Sequence, residues 1–259
     1  MSANAILDLR ADVVEPTFKD YLPLLFQGIP VTLELTFAAI SLVVVSGFIF
    51  GLGRSSKSRL LRWPCGFMVE VLRGSSAIVQ LFWAFYVLPF VGIDLSPFTA
   101  GVMVLGLNGG AYFSEVVRAA FASVPRGQTE AAVALNLSAW FRLTRVLLPQ
   151  ALPVMVPPFG NALIDMLKFT ALLSLVTIQE LAYRANAIRG VLVESGPVYG
   201  LTLLIYFALA LILSLAVQKL EVLVNRWAGR TGSGISGSKR TSTVPSNWCW
   251  RRALASSWR

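Results

Sequence analysis

The chain has 259 residues, a net charge of +9 and no histidine, with a mean hydropathy of +0.68. Hydrophobic residues make up 56% and charged residues 14%. Soluble chains average about 45–50% apolar and about 25% charged, so a water-soluble domain is excluded. Without histidine most imidazole-based catalysis and metal ligation are removed, and Cys65 and Cys249 give neither a disulfide framework nor a metal-site spacing.

A bilayer-crossing helix needs roughly 20 mostly apolar residues. Residues 1–32 hold four acids and two bases and lack the basic start and short apolar run of a signal peptide. The charge-free windows that follow are Leu35 to Gly53, Gly74 to Ile93, Leu95 to Ser114, Val146 to Ile164 and Ser195 to Gln218. Lipid leaves helices and closed barrels as the only spanning solutions, and a barrel shows short alternating segments instead. The sequence therefore predicts an all-α polytopic bundle of about five transmembrane helices. The Lys/Arg bias sets its orientation. Arg54, Lys57, Arg59 and Arg62 fall in the first connection, Arg118, Arg126, Arg142 and Arg145 in the third, and Lys219, Arg226 and Arg230 after the last window. The expectation is an N-terminus outside, a C-terminus in the cytoplasm and several passes through a membrane. Much of the net charge is then a topology signal, and no nucleic-acid partner is needed to explain it.

Within this frame residues 1–30 form an outside segment, 31–228 the membrane domain and 229–259 a flexible basic tail. Residues 231–247 are Gly-, Ser- and Thr-rich. Trp248, Trp250, Arg251, Arg252, Trp258 and Arg259 suit an anionic membrane surface, or simply a solvated extension.

The longest cytoplasmic connection is Pro125 to Pro149. Gln128 to Leu135 reads as a short helix with Thr129 as N-cap, Glu130 in its first turn where the helix dipole favours a carboxylate, Ala131, Ala132 and Ala134 as a small contact surface, and Asn136 as the stop. A second amphipathic run, Trp140 to Leu148, returns to the membrane at Pro149. From spacing alone the segment is either a partner-docking helix or an ordinary interfacial one.

Glu130-Ala131-Ala132 followed by Leu147-Leu148-Pro149 resembles the EAA loop of ABC-importer permeases, with Asn136 where that family carries glycine. Further segments resemble the polar amino-acid branch in the same order. These are Gln27-Gly28 through Leu33, Val69-Glu70 through Gly74 with Gln80-Leu81, Ala111-Tyr112 through Glu115 and Arg118, Pro125-Arg126-Gly127-Gln128, and Pro157-Pro158-Phe159-Gly160-Asn161 with Leu167-Lys168. The resemblance implies the permease subunit of an ATP-driven importer. It implies coupling through Glu130, Ala131, Ala132, Asn136 and Pro149 to an ATPase dimer that itself holds ATP and Mg, delivery by an extracytoplasmic binding protein, and pairing with a second permease copy or a paralogue. The chain contains no G-x-x-x-x-G-K-[ST] phosphate loop. No catalytic residue, metal site or cofactor is expected in it.

Polar groups at membrane depth usually face a bundle interior or a cavity. Asn108, Asn161 and Lys168 are the candidate pathway residues, on segments interrupted by Gly109-Gly110, which allow close backbone approach or a local helix break, or by Pro153, Pro157 and Pro158, which remove helix donors and either break a helix or simply kink it. Glu115 and Arg118, three apart, are read as a structural ion pair. Where the family pattern has an acid and a serine, this chain has Phe169 and Ala171. That change favours a zwitterionic or compact neutral solute, such as ectoine, over a strongly cationic one. The competing readings are an ion-gradient-driven secondary transporter, which calls for intramembrane acids or paired repeats, and a membrane-embedded enzyme, which calls for a convergent catalytic set.

Overall fold

The computed structural model describes residues 21–56, 58–191 and 195–232, and among them it is helical throughout with no strand. The sequence-derived segments 1–20 and 233–259, Cys249 included, lie outside the described residues, and so does most of the proposed tail. The helices are α1 (Leu22–Phe26), α2 (Gly28–Ser55), α3 (Arg59–Gly74), α4 (Ala77–Val91), α5 (Pro97–Ser123), α6 (Arg126–Ala134), α7 (Ala139–Val176), α8 (Leu181–Val191) and α9 (Ser195–Gly232). Four stretches are long and apolar enough to cross a membrane: α1 with α2, α5, α7 and α9. The bent pair α3–α4 makes a fifth if it is one span.

The core of the bundle is the pairing of α2 with α5. It is tight because glycines let the two backbones approach, the small-residue solution of membrane interfaces. A Cβ added at Gly106 would lie 2.7 Å from Leu42 Cβ, and one at Gly110 would lie 2.9 Å from Ser46 Cβ. Ser46 seals the seam by donating to the Gly106 carbonyl at 3.1 Å. Leu35, Ala39, Val43, Val117 and Leu167 are fully buried around it. Gly109-Gly110 does not break α5, then; it admits Ser46, Val43 and Met166.

Three expectations need correction. The window from Gly74 is not a straight span, because α3 and α4 meet at 104° and α4 passes through a wide π-turn at Trp83–Val87 and a tight turn at Leu88–Val91 before Gly92 adopts φ +85°. The connection read as Arg54 to Arg62 is shorter, since α3 starts at Arg59. α7 runs unbroken through Pro153, Pro157 and Pro158 and takes in the whole Trp140–Leu148 run. An interior proline removes one backbone donor and bends a helix without having to sever it. Ser96 starts α5 by accepting from the Thr99 N–H at 3.2 Å, and Ser138 caps α7 in the same way at Phe141.

At one end of the bundle Arg54 bonds Glu115 and lies 3.7 Å from Glu70, Arg73 lies 3.2 Å from Glu115 and Arg118 2.9 Å from it. The expected Glu115–Arg118 pair exists, but as one arm of a cluster drawn from α2, α3 and α5. At the opposite end, outside the spans, a buried Glu180 starts α8. It accepts from the Tyr183 N–H and the Tyr206 hydroxyl, both at 2.7 Å, while the Leu181 N–H donates to Thr32 Oγ1 at 3.1 Å. Burial pushes the Glu180 carboxyl above its ordinary value, against the pull of these hydrogen bonds. Just before it, Thr177 closes α7 at φ +63°, an uncommon conformation for a β-branched residue.

Candidate functional site

Two places have the makings of a site: a cleft beside the α3–α4 corner, and the α6 segment.

The corner exists because the chain leaves a helix at Gly74 and re-enters one at Ala77. A helix that stops there leaves carbonyls without intrahelical partners. The Leu72 carbonyl is satisfied from two directions, by the Asn108 amide from α5 and the Gln80 amide from α4, both at 2.8 Å. Gln80 also donates to Ser75 Oγ at 2.7 Å, and the Asn108 amide reaches Gln80 Oε1 at 3.3 Å. Asn108 is therefore first of all a brace for the corner.

Beside this brace lies a cleft of about 510 Å³. Asn108 and Tyr112 line one wall from α5, Asn161 and Asp165 face it from α7, and Ser75 and Ser76 close the corner side. Both pairs are four residues apart, which sets each pair on one helix face. Phe113, Met166 and Phe169 supply the apolar surface. Behind Tyr112 the Arg73 guanidinium stacks on its ring, 5.2 Å from the centroid, and Arg73 Nε is buried without a partner. The cleft thus ends against the arginine cluster.

Of the three candidate pathway residues, Asn108 and Asn161 line the cleft and Lys168 does not. Lys168 is exposed, with Nζ 3.7 Å from Asp165 Oδ1. Phe169 does line the cleft, as the substrate argument requires, but Asp165 one turn earlier leaves a carboxylate there. Tyr112 entered only as part of the resemblance at Ala111-Tyr112; Ser75 and Ser76 were not singled out from the sequence. Their signal was a Gly-Ser-Ser break ahead of an apolar run, which reads as a capped helix start.

The α6 segment is a helix of nine residues ending in a Schellman turn. The Leu137 N–H bonds the Ala132 carbonyl at 3.1 Å, the Asn136 N–H bonds the Val133 carbonyl at 2.8 Å, and Asn136 takes φ +53°. Asn performs here the left-handed role that glycine usually fills. Three expectations fail. Pro125, not Thr129, precedes the helix, and no side chain caps it. Glu130 is fifth in the helix, beyond the first turn where the dipole acts. Ala132 is buried against its own subunit at 3% exposure, whereas Glu130, Ala131, Ala134 and Asn136 are exposed. Pro149 sits inside the continuous helical run of α7.

Residues 43–225 match the family described as binding-protein-dependent transport system inner membrane component. A probable amino-acid ABC transporter permease of Sinorhizobium fredii is 44% identical over 81% of this chain and 91% of its own length. The L-cystine transport system permease of Bacillus subtilis is 36% identical over 85% and 93%, and the glutamine transport system permease of Escherichia coli is 32% identical over 77% and 92%. A crystal structure of an amino acid ABC transporter with histidines superposes with a TM-score of 0.71 at 30% identity, covering 85% of this chain and 99% of that one. A methionine ABC transporter chain in an inward facing conformation shares the fold, with a TM-score of 0.70 at 21% identity over 80% and 99%.

Proposed function

We propose how transport is coupled in this chain from the premise that it belongs to the family of binding-protein-dependent transport system inner membrane components. It is the permease subunit of an ABC amino-acid importer, held in the membrane by apolar helices. In our reading α6 is the coupling element. A partner ATPase dimer holds ATP and Mg and grips the exposed face of Glu130 and Ala131, with Asn136 fixing the turn behind it. A binding protein delivers substrate from outside, and a second permease copy or a paralogue closes the cleft between Asn108 and Asn161. ATP-driven closure of the ATPase pair then moves α6 and rocks the bundles about the cleft.

The observation that carries this reading is the division of α6 into a buried face at Ala132 and an exposed face at Glu130, Ala131 and Ala134. A short helix pinned to its own subunit on one side and bare on the other suits a rigid coupler. The test follows that division. Ala131→Trp on the bare face is expected to abolish copurification with the ATPase and substrate-stimulated ATP hydrolysis while the permease itself purifies at the parental yield. Ala132→Trp on the buried face is expected to lower permease yield, since packed interiors tolerate added volume poorly. An Ala131→Trp complex that forms and turns over like the parent rejects α6 as the coupler.

The orientation proposal, with the N-terminus outside, rests on the gathering of Arg54, Arg73 and Arg118 at one end of the bundle. A cysteine placed at exposed Ser58 is expected to resist a membrane-impermeant thiol reagent on intact cells and to react after permeabilisation. Labelling from outside refutes it.

A further inference from the structure

Asp165 is the one charged side chain among the described residues that line the cleft. It is half exposed, and its nearest cation, Lys168, contacts it at 3.7 Å from outside the lining. Around it stand Asn161 and Tyr112 as neutral hydrogen-bonding groups and Phe113, Met166 and Phe169 as apolar surface. A single negative charge in a site walled largely by apolar groups and helices acts at a lower dielectric than in water, so its preference for a cation is strengthened. The same charge repels an anion, whose desolvation the neutral amides and hydroxyls cannot fully offset.

We infer that Asp165 determines charge selectivity in the cleft: it receives the ammonium group of an amino-acid substrate, admits zwitterionic and cationic amino acids and rejects anionic ones. The inference rests on the permease reading above and deepens it. The substrate carboxylate is left to neutral donors, with Asn161 one turn from Asp165 on the same face. The substrate side chain lies toward Phe113, Met166 and Phe169. Lys168 tempers the carboxylate, so its removal strengthens the cationic preference.

The test is equilibrium binding of radiolabelled L-glutamine, L-cystine, L-lysine and L-glutamate to the full-length chain in lipid nanodiscs, with no ATPase or binding protein added, so that it can fail separately from the coupling proposal. The parent is expected to bind at least one neutral probe, and lysine, about tenfold more tightly than glutamate, the scale of one charge-assisted hydrogen bond. Asp165→Asn is expected to lose about tenfold toward that neutral probe and more toward lysine, with no loss toward glutamate. Asp165→Glu keeps the charge and is expected to stay within about threefold of the parent. Lys168→Met is expected to raise lysine affinity relative to the neutral probe. Monodisperse elution of each variant from size exclusion separates lost binding from lost folding. Parental affinities in Asp165→Asn overturn the inference, as does a parent that binds glutamate as tightly as the neutral probes. A parent that binds none of the four overturns it too.

Discussion

Glu115 and Glu180 mark the two ends of the bundle and solve the same problem in different ways. Glu115 sits among Arg54, Arg73 and Arg118, partly open to its surroundings. Glu180 is fully buried and takes only neutral donors, from Tyr206 and the Tyr183 backbone. A charge matched by charges loses much when one member goes, because the rest stay behind unbalanced. A buried carboxyl with no cation beside it is driven toward its neutral form by desolvation, against the pull of its hydrogen-bond donors, and loses little when replaced by a neutral isostere. One end should therefore be electrostatically brittle and the other tolerant.

The largest effect expected is from Glu115→Gln, which leaves three arginines together. Discounted for partial exposure, the loss is about 2 kcal/mol of unfolding free energy, read as a lower thermal-unfolding midpoint in detergent. An unchanged midpoint would mean that the arginines are solvated independently, and the contrast would vanish. Arg54→Met removes a cation that reaches both Glu115 and Glu70. It is expected to cost about 1.5 kcal/mol in the same assay, and added salt should narrow the difference from the parent. At the other end Tyr206→Phe deletes one donor to Glu180 and is expected to cost about 1 kcal/mol.

The smallest effect is from Glu180→Gln, under about 1 kcal/mol near neutral pH, but it carries a signature. The folded carboxyl titrates above its ordinary 4.5, so the folded state holds its proton more tightly than the unfolded chain. That contribution is fully present below pH 4.5 and is lost as pH rises through the elevated folded value. Midpoints of the parent should fall relative to Glu180→Gln as pH is raised from 4.5. Parallel pH profiles would show that Glu180 titrates in the fold as it does in the unfolded chain.

Much of this was legible in one dimension. Apolar windows located the spans because lipid imposes length and composition on each helix separately, and Glu115–Arg118 was legible because i,i+3 neighbours meet on any helix. Asn136 was legible as a turn because few residues accept a positive φ. The parts that were not legible depend on which helix lies beside which. Arg54 and Arg73 reach Glu115 from other helices. Asn108 was recognised as a polar group at depth, but its partner, the Leu72 carbonyl, becomes available only once the chain turns at Gly74. Ala132 and Ala131 are alike in sequence, and only packing separates the covered methyl from the bare one. Glu180 drew no notice at all, although an acid just ahead of an apolar helix is a familiar N-cap signal.

The braced corner has a mechanical consequence. An unsupported break between two helices is a soft joint that absorbs whatever motion is imposed at one end. Here amides from α4 and α5 grasp the same carbonyl on α3, so three helices share one rivet. A push on α3 is transmitted to α5 and the Asn108–Tyr112 wall of the cleft instead of dissipating in the bend. Asn108→Ala would then leave the fold standing but make the joint compliant, so that work done at one end of the molecule no longer reaches the other.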